Sequence, residues 1–115
     1  MTLQECYEAI GGDYNDVMGR LPKEDLIEKF LKKFAEGEEY RQLQKAIEEK
    51  DHKEIFATSH TMKGVCANLG LKALFEVVSQ LCESVRNGEP KEDIAPLVEA
   101  VKTQYLRMEK NVAQL

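Results

Sequence analysis

At 115 residues, 43% hydrophobic and 32% charged, the chain has room for one compact domain and none for a catalytic domain beside a substrate domain. A formal net charge of −5 argues against non-specific attachment to nucleic acid or an anionic membrane surface, which needs a basic stripe that the sequence does not show. Abundant Glu, Lys, Leu and Ala, with no Trp and three Pro, favour helices over sheet or disorder, so the composition predicts an all-α fold.

In chain order, Leu3, Cys6, Tyr7 and Ile10 repeat at i, i+3, i+4, i+7 and predict one short amphipathic helix, stopped by Gly11-Gly12-Asp13. Residues 1–20 are expected to form a lid on a bundle spanning 22–113. Pro22, followed by Glu24 and Asp25, opens a segment whose predicted apolar face is Ile27, Phe30, Leu31 and Phe34. Gly37 breaks or kinks it, and the pattern resumes through Tyr40, Leu43, Ala46 and Ile47. Residues 22–50 are therefore one bent helix or two stacked ones. Asp51 with Glu54 resembles a capping box, and the helix that follows runs to Leu69, where Gly70 can adopt the left-handed conformation that ends it. Leu74, Val77, Val78, Leu81 and Val85 predict the next helix, ending at Asn87-Gly88. Pro90 restarts the chain towards a stripe of Ile94, Leu97, Val98, Val101, Tyr105, Met108 and Val112. Short connections between long amphipathic helices predict an antiparallel up-down four-helix bundle within a single domain, 1–115.

The odd number of cysteines, Cys6, Cys66 and Cys82, without C-x-x-C spacing, and a start lacking the basic and apolar regions of a signal peptide predict a cytoplasmic location. No apolar run approaches the roughly 18 residues of a spanning helix.

The chemistry concentrates on the helix beginning after Asp51. With Ile55 at zero and about 100° per residue, Ser59, Met62, Cys66 and Leu69 fall within about 40° of it, with Val65 at the margin. His60 lands at about 140°, away from the core, where packing requires no histidine. Its predicted neighbours are Ala57, Gly64 and Ala67, three small residues that leave a bare strip a partner could cover. Gly64 within a helix costs about 0.5–1 kcal/mol relative to alanine, which suggests a use for close backbone approach. Lys63, at i+3 from His60, lies on an adjoining flank where its ammonium can reach a dianion on the ring. A histidine with its ordinary pKa of about 6.5 keeps a neutral, nucleophilic ring abundant near neutral pH.

The string from Ser59 to Gly70, with His60, Lys63, Gly64 and the Leu69-Gly70 end, resembles the signature of histidine-containing phosphotransfer (HPt) domains. More loosely, the likeness extends from about Leu26 to Asn87 and includes Leu74 and Leu81. It implies a phosphorelay in which an aspartyl phosphate on a response-regulator receiver domain passes its phosphoryl group to His60, and a second receiver aspartate takes it onward. Receiver domains or a hybrid histidine kinase are the implied partners of a monomeric, free-standing carrier. Mg²⁺ belongs to the receiver in that family, so no cofactor or metal is expected here. The family also implies a polar residue from the following helix beside the phosphoryl group. Cys82 falls near that place, with Gln80 and Glu83 close by, and the role stays unassigned.

Two rival readings compete, a metal-binding bundle and a docking adaptor. His52 reads as ordinary surface, and Cys66 and Cys82 as small hydrophobes in or beside the core. A metal site suffers because His52 and His60 are about 12 Å apart along the helix, and His60 and Cys66 point about 120° apart. A docking adaptor that carries no phosphate has no need of His60 with Lys63. A kinase is excluded, since no glycine-rich nucleotide loop is present.

Overall fold

The computed structural model describes residues 1–90 and 92–115. Among them are seven α-helices and no strand: α1 (Leu3–Ala9), α2 (Tyr14–Arg20), α3 (Glu24–Ala35), α4 (Glu38–Glu48), α5 (His52–Leu69), α6 (Lys72–Ser84) and α7 (Ala95–Val112), with a 3-10 turn at Arg86–Gly88. None is long and apolar enough to cross a membrane.

Local chemistry explains most of the boundaries. Thr2 and Glu5 form a capping box at the start of α1, and the Asp51 carboxylate accepts from the Glu54 amide at the start of α5. The choice left open for residues 22–50 falls to two helices. Gly37, at φ 88°, takes a left-handed conformation between α3 and α4 that a side chain would strain. At the far end of α5, Gly70 caps with φ 65° as expected.

Three expectations need correction. A second short helix, α2, follows the glycine pair, because the Asp13 carboxylate accepts from the Asp16 amide and starts a new turn. Phe30 is not on the buried face of α3; it remains 42% exposed while Ile27, Leu31 and Phe34 are buried. The last helix begins at Ala95 rather than near Pro90, with Pro96 in its first turn, where a missing amide costs nothing.

The core runs along the inward faces of α3 to α7, through fully buried Ile27, Leu31, Leu43, Ile55, Met62 and Leu81, each worth about 1.5–3 kcal/mol of burial. Helix α5 packs against α4 and α6, and α7 against α6 and α3. The turn at Gly70 folds α6 back along α5, since Cys82 near the end of α6 meets the carbonyl of Phe56 near the start of α5. Tyr105 ties α7 to the break between α3 and α4. Its hydroxyl donates to the Phe34 carbonyl at 2.7 Å while its ring stacks on Tyr40 with centroids 4.2 Å apart.

Helices α1 and α2 sit over the α5–α6 turn. There the Tyr7 hydroxyl donates to the Leu69 carbonyl at 2.6 Å, the Asp13 amide donates to the Gly70 carbonyl at 2.8 Å, and Lys72 pairs with Asp13 at 3.0 Å. The Arg20 guanidinium donates to the carbonyls of Ala67 and Asn68 at 2.6 and 3.2 Å. A helix leaves its last carbonyls short of partners, and α1 and α2 with the turn between them supply donors to those at the end of α5.

Candidate functional site

Helix α5 has a buried side and an exposed side. Ile55, Ser59, Met62, Cys66 and Leu69 are buried, as their projection requires, and Thr58 joins them. His60, Ala57, Gly64 and Ala67 are all exposed, so the four residues share one solvent-facing strip. Lys63 is half-buried on the adjoining flank, as is His52 near the start of the helix.

The strip's hydroxyl neighbours are spent on the helix itself. Ser59 donates to the Ile55 carbonyl at 2.6 Å, Thr58 to Glu54 at 2.8 Å, and Thr61 to Ala57 at 3.1 Å. They satisfy themselves locally, and His60 and Lys63 stand beside them on this helix.

Gly64 has no internal reason to be glycine. It lies within regular helix, and a Cβ built there meets nothing within 4 Å. The absent side chain keeps open a space outside the molecule, one helical turn beyond His60.

The strip is less bare than the sequence suggests, since one of its flanks is walled. The half-buried ring of Phe56, at i−4, stands with its centroid 5.9 Å from the His60 ring and tilted 37° to it. The Arg86 guanidinium lies over the same phenyl ring, 5.5 Å from its centroid, and pairs with Glu83 at 2.8 Å. The i−4 spacing could have revealed Phe56. Arg86 comes from the turn after α6, and no pattern along the chain joins it to His60.

The cysteines face inward. Cys82 is buried with its Sγ 3.9 Å from the Phe56 carbonyl, behind the wall rather than on the strip. Burial pushes the Cys66 thiol up to about 12, so it stays protonated and unreactive. Among the described residues, no group of His, Cys, Asp and Glu side chains could hold a metal ion. Exposed Phe30 lines a groove of about 450 Å³ on the other flank of α5, with Leu21, Phe34, Val65 and Leu69 as its apolar walls.

Compared with known proteins, the chain matches the family model of the Hpt domain over residues 25–114, which covers α3 to α7 and the strip on α5. No curated protein and no solved structure gives a significant match.

Proposed function

We propose that this chain, which belongs to the Hpt domain family, carries a phosphoryl group on His60 between the receiver domains of a phosphorelay. Histidine phosphotransfer in phosphorelays is the activity of the family, whose members interact with receiver domains and histidine kinases. The residues, the partners' order and the cellular setting are our assignment. The observation that carries it is the exposure of His60 on a face where Ala57, Gly64 and Ala67 leave room for another protein's backbone.

In the proposed step, the lone pair of the outer ring nitrogen, Nε2, attacks the phosphorus of a receiver's aspartyl phosphate. The N–P bond forms as the acyl P–O bond breaks, and the electron pair leaves on the aspartate carboxylate. The ring proton stays on Nδ1 until solvent takes it. Passing the group to a second receiver aspartate reverses the same changes. Phosphoryl transfer proceeds through a loose transition state in which positioning and charge neutralisation do most of the catalysis. Lys63, at i+3, supplies an ammonium beside the phosphoryl oxygens. Mg²⁺ comes with the receiver, and the chain has no kinase activity of its own.

The remaining assignments follow from the same reading. Helices α3 and α4 with α5, α6 and α7 make an antiparallel bundle whose task is to hold α5 straight, and residues 1–115 act as one monomeric, cytoplasmic module. The test is incubation with a phosphorylated receiver domain. We expect an acid-labile, base-stable phosphoramidate on the chain, lost in His60→Gln. Label that persists in that variant removes His60 from the mechanism.

A further inference from the structure

Helix α2 is seated on the turn that ends α5. A Cβ built on Gly70 would stand 2.9 Å from the Asp13 carbonyl oxygen and 3.4 Å from the Val17 Cβ, so there is no slack between the two elements. From this position Asp16 and Arg20, at i and i+4, reach the far end of the exposed strip. The Arg20 guanidinium forks onto the Asp16 carboxylate at 2.8 and 2.7 Å and also donates to the backbone carbonyls of Ala67 and Asn68. Asp16 borders a hollow that Ala67 also lines, and Arg20 borders the groove of Phe30, Val65 and Asn68.

The size of a protein contact decides whether a partner reaches this pair. At about 1.5 Å per residue, Ala67 lies about 10 Å along the helix from His60. A specific interface covers about 800 Å² of each partner, which as a disc has a radius of about 16 Å. A receiver domain with its aspartate over His60 therefore extends past Ala67, and what it meets there is α2. The Arg20 and Asp16 side chains are 41% and 38% exposed. Among the described residues, four of the five guanidinium N–H donors are engaged, and the remaining one, on Nη1, is open to a visiting acceptor. An incoming carboxylate can take that donor and compete with Asp16 for the fork, the strongest pairing a guanidinium makes.

We propose that Arg20 is a specificity-determining contact for the receiver domain, binding a carboxylate of the partner at the Ala67 end of the strip while phosphoryl transfer takes place at His60. The proposal rests on His60 being the phosphoacceptor. It extends the docking surface into residues 1–20, ahead of the family pattern that starts at residue 25, and it favours receivers that present an acidic side chain at that distance from their aspartate.

Rapid-quench transfer from a phosphorylated receiver domain that loads the parent is measured over a range of receiver concentrations in the parent, Arg20→Ala, Arg20→Lys, Arg20→Glu and Asp16→Asn. The half-saturating concentration should rise about threefold to fivefold in Arg20→Ala, the scale of a solvent-exposed ion pair, with the limiting rate unchanged. Arg20→Glu should raise it further and Arg20→Lys should restore most of the loss. Asp16→Asn should lower it, because the guanidinium loses a competitor; an Arg20 that only braces the lid would lose a partner and dock more weakly instead. Labelling of each variant by potassium phosphoramidate, a small donor that needs no docking, reports whether the strip is intact. If the parent is loaded on His60 and the half-saturating concentration is the same in every variant, Arg20 is not a receiver contact, while His60 keeps its role. The same conclusion holds if the Arg20 variants lose small-donor labelling in step with transfer. If the parent takes no label on His60, both readings fall together.

Discussion

Gly64 offers the sharpest separation between what the fold needs and what a partner needs. An alanine there finds empty space on every side within 4 Å and regular helical backbone beneath it. The substitution should therefore stabilise the protein by about 0.5–1 kcal/mol, the ordinary difference between the two residues in a helix interior. For a domain of this size the melting temperature should rise by about 2–5 °C. Gly64→Gln should keep most of that gain, because glutamine is also a good helix former. It should nevertheless slow phosphoryl transfer from a receiver by roughly tenfold or more, since its side chain occupies volume that a docked surface needs, an overpacking cost of about 1–3 kcal/mol. Urea denaturation gives the first quantity and rapid-quench transfer with a labelled receiver gives the second. A lower stability for Gly64→Ala would mean that the backbone there is not open. Wild-type transfer by a stable Gly64→Gln variant would mean that no partner approaches it closely.

Two further outcomes follow from the same geometry. Lys63→Ala should slow transfer on the order of tenfold, as expected for losing a charge-assisted contact, and leave the urea midpoint nearly unchanged, since among the described residues the ammonium has no ion-pair partner to abandon; equal rates in the two proteins would remove it from the site. Asp13 gives a pH dependence. The Asp16 amide, and after it Lys72, hold its carboxyl below the usual range, so its contribution is complete above the unfolded value of about 3.9 and disappears as pH falls through the lower folded value. Between pH 5 and pH 3 the urea midpoint of the parent should drop more steeply than that of Asp13→Asn, and parallel curves would show that the Asp13 contacts are not what fastens the lid.

The strip on α5 was legible because its signals are local. Asp51 and Gly70 mark the ends of the helix, one projection separates Ser59 and Met62 from His60, and each of those residues is where the projection puts it. The same reading stops at contacts between elements. Phe30 belongs by spacing to the stripe of Ile27 and Leu31, yet lies at its edge, and the groove beside Leu21 leaves it open to solvent. Helix α2 buries only Val17, too little to make a periodic pattern, so its cap at Asp13 reads as part of the preceding turn. Arg86 is 26 positions from His60 and meets it only through Phe56, a relation that exists in three dimensions alone.

The family pattern begins at residue 25, but the support for α5 begins earlier. Tyr7, Asp13 and Arg20 together engage four successive carbonyls, Ala67 to Gly70, at the end of the helix that bears the strip. Anyone trimming the gene to the recognisable module would delete those donors and leave the last turn of α5 to fray into water. The length over which a relay domain can be recognised and the length that keeps its working helix intact are, in this protein, different numbers.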